Sequence, residues 1–154
     1  TIAYFLDSSA LVKRYVREAG TSWVHEITRR HSSAVIYIAG ITTVEVSCAI
    51  ARRRQGNSIP PRQASSLLHR FRQHLVGRYA VAQVTPALLD DAARLGVKHS
   101  LRAYDAVQLA VALEVGRFHR AGGSDPVTLV SADHALNDAA SAEGLVVDNP
   151  LFYI

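Results

Sequence analysis

Cysteine is nearly absent from this 154-residue chain, and its single residue, Cys48, excludes both an internal disulfide and a cysteine-based zinc finger. So little cysteine is typical of a reducing compartment, and we therefore expect a cytoplasmic protein. Long apolar runs are also missing, since none approaches the ~18 residues that a membrane span needs. We expect no secretory signal and no association with membranes.

Charge is sparse but biased towards one sign. Charged residues make up 19% of the chain and hydrophobic residues 49%, a composition that favours a folded globular protein over disorder. The length fits one domain spanning residues 1–154. The net charge of +4 is compatible with a polyanionic partner but does not establish one.

Acidic residues are missing altogether from residues 46–89, a stretch that contains seven arginines. Arginine makes forked contacts with phosphate, so the run Arg52, Arg53 and Arg54 is a candidate nucleic-acid contact. A solvated helix face is an equally plausible interpretation, and a surface for a partner protein is a third.

Short apolar runs alternate with amphipathic segments along the whole chain. This order predicts a three-layer α/β/α sandwich with a parallel sheet of about five strands. In such sheets, ligands bind beyond the carboxyl ends of the strands. The predicted strands are 2–6, 34–38, 79–84, 127–130 and 145–147, and the predicted helices are 10–16, 23–30, 44–54, 63–75, 86–98, 103–118 and 133–142. Thr42 and Thr43 are predicted caps of the third helix, and Thr85 is the predicted N-cap of the fifth.

Four acids lie next to predicted strand ends or helix starts. Asp7 and Asp133 follow strands directly, where capping of the next helix is the simplest role. Glu45 is expected either as a first-turn charge favoured by the helix dipole or as a group facing a cleft. Asp105 opens an almost wholly apolar helix, where an acid is costly unless it is paired or bound to metal.

The carboxyl edge of a parallel sheet can bring these four acids together. Carboxylates ~6 Å apart repel each other by roughly 0.7–3 kcal/mol per pair, so protons, basic groups or divalent cations must offset the repulsion. Hard oxygen ligands suit Mg²⁺ or Mn²⁺ rather than zinc or copper. Water activated by such ions attacks phosphodiesters, so the pattern favours a metal-dependent nuclease.

With these residues identified, the sequence resembles the PIN-domain ribonucleases, and most closely the VapC toxins of bacterial VapBC toxin–antitoxin modules. The resemblance covers essentially the whole chain and lies in four acidic blocks that occur in the family's order. The blocks are YFLDSSALVK at 4–13, TTVE at 42–45, LRAYDAVQLA at 101–110 and LVSADHALNDAA at 129–140, followed by Asn149 and Pro150.

The resemblance implies an endoribonuclease that uses Mg²⁺ or Mn²⁺, is inhibited by a small antitoxin and forms a homodimer. By that likeness, Asp7 and Asp105 are the main metal ligands, Glu45 orients metal-bound water or completes a metal shell, and Asp133 serves a second ion. Ser8 and Ser131 match positions of small hydroxyl groups near the metal, and Asp138 is an alternative to Asp133. Arg102 and Lys13, which belong to these blocks, are further candidate nucleic-acid contacts.

Other functional classes fit less well. A phospho-acceptor receiver domain needs a lysine after a late strand, where this chain has Ser131, and an aspartyl phosphatase needs an acid at the position of Ser9. A DNA-directed nuclease and a non-catalytic module that binds nucleic acid or protein remain alternatives. We expect His134 at the surface and Cys48 as an inert core residue.

Overall fold

Five parallel strands form the sheet of the computed structural model, which describes residues 2–29 and 32–154. The sheet order is β3-β2-β1-β4-β5, so the first strand lies at the centre. The strands are β1 (Ala3–Leu6), β2 (Val35–Ala39), β3 (Ala80–Ala82), β4 (Val127–Val130) and β5 (Val146–Asp148).

Helices connect the strands and cover both faces of the sheet, so the predicted three-layer α/β architecture is confirmed. In the described part of the chain they are α1 (Ser8–Tyr15), α2 (Thr21–Thr28), α3 (Gly40–Gln55), α4 (Pro61–Gly77), α5 (Pro86–His99), α6 (Ala103–Ala121) and α7 (His134–Ala142), with a final 3₁₀ turn at Pro150–Phe152. The predicted end of α2 at Arg30 lies outside the described residues.

Two apolar cores lie on opposite faces of the sheet because side chains alternate along each strand. Phe5 on β1 faces a core built with α5, α6 and α7, whereas Leu6 faces a core built with α1 to α4. Both side chains are fully buried. This double coverage explains why the strands read as continuous apolar runs in the sequence.

The chain reverses its direction of travel across the sheet at β1. From β1 it moves outward through β2 and β3, and then returns to the other side of β1 as β4 and β5. The carboxyl ends of β1 and β4 therefore flank the topological switch point, where open α/β sheets form their binding crevice. Asp7 follows β1 there, and its amide donates to the carbonyl of Val130 on β4 at 3.2 Å.

Helix α3 begins at Gly40, four residues before the predicted start at Val44. Thr42 and Thr43 are therefore inside the helix rather than caps, and Thr42 is completely buried. Glu45 lies in the second turn, so the interpretation of Glu45 as a first-turn dipole charge is wrong. The explanation is that Ala39 ends the strand and the chain turns at once, without a side-chain cap.

Cys48 is exposed, and the expectation of a core cysteine is wrong. The buried face of α3 contains Thr42, Val46 and Ile50, which recur every four residues. Cys48 is two residues from Val46 and Ile50, about 200° around the helix, and so it faces away from the core. None of the described helices is long and apolar enough to cross a membrane.

Candidate active site

Asp7 lies at the switch point with only 2% of its surface exposed, and a ring of donors holds its carboxylate. Its Oδ1 accepts from the amide of Ala10 at 3.0 Å and from the Ser9 hydroxyl at 2.7 Å. Its Oδ2 accepts from the Ser131 hydroxyl at 2.8 Å. Burial nevertheless raises the pKa of Asp7 to about 6, and the charge of Asp105 adds to the rise.

Glu45 reaches the same edge from α3, where two other helices fix its orientation. Its Oε2 accepts from the Ser8 hydroxyl on α1 at 2.9 Å. Its Oε1 accepts from Nε2 of Gln108 on α6, also at 2.9 Å. Gln108 is 1% exposed and also donates to the Thr42 hydroxyl at 2.8 Å, so the amide ties α6 to α3 behind the carboxylate.

Asp105 lies in the first turn of α6. Partial burial raises its pKa first, the charges of Asp133 and Glu45 raise it further, and only Arg102 opposes them. Among the described residues, none donates a hydrogen bond to the Asp105 side chain. The charge of Asp105 also raises the pKa of Asp7, so Asp105 is coupled electrostatically to the other three acids.

Asp133 caps α7 and is linked to Asp7 through a serine. Its Oδ1 accepts from the amide of Leu136 at 2.8 Å, and its own amide donates to the Ser131 hydroxyl oxygen at 3.0 Å. Helix capping is therefore confirmed for both Asp7 and Asp133. Asp138, the alternative fourth acid, is exposed on α7.

The donor set fits a hard divalent cation. Asp105 has no competing hydrogen bond among the described residues, and the neighbouring groups are carboxylates and hydroxyls, the ligands of Mg²⁺ and Mn²⁺. In the described residues no three His, Cys, Asp or Glu side chains are close enough to share one ion.

The predicted basic residues separate into two groups. Lys13 is 5% exposed and its ammonium lies 2.9 Å from Glu18, which also pairs with Arg53 at 2.9 Å. Lys13 is therefore engaged inside the protein and is not available to a phosphate, which corrects that expectation. Arg52 instead lines a cleft of about 420 Å³ together with Glu45, Ser8 and Tyr104.

Arg54 and Arg102 are both exposed, and Arg102 lies directly before α6, close enough to lower the pKa of Asp105. His134 is exposed, as expected. The cleft thus places Arg52 beside Glu45, whereas Arg102 lies near Asp105 and is not a wall of the cleft.

Sequence reasoning missed the residues that orient the acids. Ser9 accepts from the amide of Ala132 at 2.9 Å and so links α1 to the loop after β4. Asn137 donates to the Ser131 carbonyl at 2.8 Å. Of the orienting residues, Gln108 could have been identified from the sequence, because it is the only polar side chain in the apolar stretch 106–113.

Fold and site together define a parallel α/β protein with a carboxylate cluster at its topological switch point. Residues 4–141 match the PIN domain family, so the chain belongs to this family of nucleases. The resemblance noted from the sequence is therefore confirmed. Among proteins of curated function, none matches the chain by sequence.

Solved structures share the fold at low sequence identity. The sarcin-ricin loop cleaving toxin VapC20 of Mycobacterium tuberculosis superposes with a TM-score of 0.63 at 19% identity, covering 93% of this chain and 96% of that one. FitAcB from Neisseria gonorrhoeae superposes with a TM-score of 0.63 at 16% identity, covering 98% of this chain and 99% of that one. VapBC2 from Rickettsia felis, bound to a DNA fragment from its promoter, superposes with a TM-score of 0.61 at 15% identity, covering 96% of this chain and 98% of that one.

Proposed function

We propose that the protein is a metal-dependent endoribonuclease and the toxin of a type II toxin–antitoxin pair. The observation that supports this proposal is that Asp105 interacts electrostatically with Glu45 and Asp133 and raises the pKa of the buried Asp7 beside the switch point of the sheet. Such a group of acids is unfavourable when fully ionised, and a divalent cation relieves the repulsion while providing chemistry for phosphodiesters.

The comparisons support the proposal at two levels. Membership of the PIN domain family supports a nuclease. The VapC20 toxin, which has the same fold, cleaves the sarcin-ricin loop, and this favours RNA over DNA as the substrate. The structures of FitAcB and VapBC2 favour an antitoxin as a protein partner.

In the proposed site, Asp7 and Asp105 hold Mg²⁺ or Mn²⁺, and Asp133 serves a second ion where two are used. The bound cation lowers the pKa of water and neutralises charge that develops on the phosphoryl oxygens. Asp105 is best placed for this role, because no hydrogen bond from the described residues must be broken before it coordinates an ion.

Glu45 orients the attacking water and accepts its proton. Ser8 and Gln108 hold the carboxylate from opposite sides, so it is fixed in place before substrate arrives. Hydrolysis then adds the elements of water across one P–O bond of the RNA. Arg52, Arg54 and Arg102 bind flanking phosphates as charged donors, while Arg53 is held by Glu18 and supports the end of α3.

The proposal also covers the cellular location, the oligomeric state and the inhibitor of the protein. We place the protein in the cytoplasm as a single domain that forms a homodimer and is inhibited by a small antitoxin. The cleft beside Glu45 has both apolar and charged walls, including Val44, Tyr104 and Arg52, and so it suits either a nucleotide chain or a short inhibitory segment.

The test is cleavage of total RNA by purified protein with Mg²⁺, with Mn²⁺ and with excess EDTA. Discrete products are expected with either metal, and none with EDTA. Asp7→Asn should remove the activity, whereas the matched variant Asp138→Asn, on the exposed face of α7, should retain it. Cleavage that persists in EDTA, or in Asp7→Asn, would contradict the proposed site.

Two further substrates separate the alternatives. Single-stranded DNA of matched sequence should remain intact under conditions that cleave RNA, and preferential DNA cleavage would assign a DNA-directed nuclease instead. Tight binding of RNA with no cleavage under any metal condition would indicate a non-catalytic module.

A further inference from the structure

A second polar cavity lies at the opposite edge of the sheet from the acids. It has a volume of about 290 Å³ and is formed where α2 and α4 end and where β2 begins. The five residues of β2 separate the two edges by roughly 15 Å. The described residues that line the cavity include no Asp or Glu, and its polar walls are Thr28, Arg29, Ser32, Gln73, His74 and Arg78.

Positive charge is concentrated around this cavity. Burial and then the charges of Arg78, Arg14 and Arg70 lower the pKa of His74 to about 4, so three guanidinium groups act on one imidazole. Within residues 2–29 and 32–154, none of these three arginines forms an ion pair with a carboxylate. Like charges held this close repel, and the repulsion favours an anion.

Arg14 contributes positive charge near the cavity wall and is held in place by Thr28. One of its terminal nitrogens, Nη1, donates to the carbonyl of Thr28 at 3.3 Å and also contacts the Thr28 hydroxyl. Its Nε is buried and has no partner among the described residues. Arg14 is not a wall of the cavity, so it adds positive charge behind the wall rather than a direct contact with an anion.

We propose that this cavity binds a phosphate group. Arg78 supplies the central forked donor, the Gln73 amide and the Ser32 hydroxyl line the same walls, and Arg29 contributes at the rim, where it also pairs with Glu26 at 3.3 Å. The Thr28 hydroxyl donates to the Val24 carbonyl at 2.6 Å and is therefore an acceptor here rather than a donor. The site is independent of the acidic cluster and of its metal.

The phosphate has two possible sources with the same chemistry: a backbone phosphate of bound RNA or a free inorganic phosphate ion. The first source would extend the RNA footprint from the cleavage site around to the far edge of the sheet. The second would make the cavity a small-anion site. The experiment has one arm for each source.

The small-anion arm measures the Kd for sodium phosphate by calorimetry, in EDTA and at constant ionic strength maintained with chloride. Arg78→Gln is expected to weaken binding by about tenfold or more, since one charge-assisted contact is lost. Arg72→Gln is the matched control, because Arg72 is exposed on α4, is not a wall of the cavity and changes the net charge equally.

The RNA arm measures the Kd for a 12-nucleotide single-stranded RNA in EDTA with the same two variants. A loss of affinity in Arg78→Gln but not in Arg72→Gln supports the site and assigns the phosphate to RNA. A loss confined to the small-anion arm supports the site and assigns it to free phosphate. Equal behaviour of the two variants in both arms overturns the proposal.

A second pair of variants keeps the test decisive if Arg78→Gln does not fold. Gln73→Glu places a negative charge at the wall of the cavity, on an exposed position of α4, and should abolish binding of the anion. Gln63→Glu adds the same charge at the exposed start of that helix and should not. Unchanged binding in Gln73→Glu would contradict the proposal.

Discussion

Asp7 has two roles that conflict with each other. It is buried and caps α1, and burial favours its neutral form, yet coordination of a cation requires the charged form. Three hydrogen bonds offset part of the burial cost but leave the pKa at about 6. The metal-free protein therefore carries a cost at neutral pH that a bound cation can offset.

The pH dependence of stability tests this conflict. The pKa of Asp7 is about 6 in the folded protein and 3.8 for an ordinary aspartate, so between these values the native state binds more protons than the unfolded state. Metal-free stability should therefore fall as the pH rises through this range, by on the order of 3 kcal/mol in total. Urea denaturation in EDTA from about pH 3 to about pH 7.5, which spans both pKa values, measures the effect.

Asp7→Asn should remove this slope, because asparagine is neutral at every pH. The unfolding free energy of the wild type should therefore fall relative to that of the variant as the pH rises. Parallel pH profiles for the two proteins would show that the Asp7 carboxylate titrates normally.

Gln108 positions Glu45 and provides a second prediction. Gln108→Leu removes the donor to Glu45 at similar size, and it also removes a buried amide oxygen that has no partner among the described residues. We expect kcat to fall by about 10- to 100-fold, as for other groups that orient a site, with little change in unfolding free energy. Initial rates of RNA cleavage at saturating Mg²⁺ measure this.

Thr42→Val is the matched control for Gln108→Leu. It removes the other acceptor of Gln108 but leaves the hydrogen bond to Glu45 in place, so kcat should change far less. An equal loss in both variants would mean that the packing between α3 and α6, rather than the orientation of Glu45, limits the rate.

The acids and their supporting groups differ in how well the sequence predicts them. Asp7 and Asp133 could be placed because each follows an apolar strand, and Asp105 because it opens an apolar helix. Ser9 could not, because its link to Ala132 joins residues 123 positions apart and depends on the pairing of β1 with β4. Hydrogen bonds between different helices and strands can be predicted only once the order of the strands in the sheet is known.

At the scale of elements, glycine holds the turn between α1 and α2 in place. Gly20 has φ +89°, and a Cβ there would lie 2.7 Å from the carbonyl oxygen of Pro150. Gly144 has a similar φ of +92° but open space around it. Alanine at Gly144 would therefore introduce backbone strain alone, whereas alanine at Gly20 would add a steric clash with the C-terminal 3₁₀ turn.

We expect Gly144→Ala to destabilise the protein by about 1–2 kcal/mol, the usual cost of left-handed backbone for alanine. Gly20→Ala should cost about 1–3 kcal/mol more, because the carbonyl of Pro150 must also move. Chemical denaturation of both variants measures the difference. Equal losses would show that the 3₁₀ turn yields freely and is not packed against α2.

Element boundaries were predicted best where local chemistry marks them. Thr85 and Pro86 mark the start of α5, and the Thr85 hydroxyl accepts from the Leu88 amide at 3.2 Å as expected. The start of α3 at Gly40 has no side-chain cap and could not be predicted in this way. Strand β3 is only Ala80–Ala82, shorter than the predicted 79–84, because it pairs with β2 alone at the sheet edge.

At the scale of the whole molecule, the two ends of the sheet carry opposite charge. The acids gather at the carboxyl edge, and Arg14, Arg70 and Arg78 gather at the amino edge. The net charge of +4 conceals this separation, since it only counts residues. The sequence predicted a basic protein with an acidic site, but which arginines lie near the acids depends on how the helices pack.

The salt dependence of RNA binding tests how the molecule distributes its phosphate contacts. Each phosphate neutralised on a single strand contributes about −0.7 to the slope of log Kobs against log salt concentration. Arg102→Gln should therefore make the slope shallower by about 0.7, because Arg102 lies beside Asp105 at the start of α6. Binding is measured with Asp7→Asn protein in EDTA, so that no RNA is cleaved.

Arg120→Gln is the control on the same helix. Arg120 is exposed near the end of α6, about 25 Å from Arg102 along the helix axis, and the substitution changes the net charge equally. If general attraction to a basic protein governs binding, both variants should weaken it alike and alter the slope little. If RNA lies across the cleft beside Asp105, only Arg102→Gln should change the slope, because counterions are released where phosphates make contact.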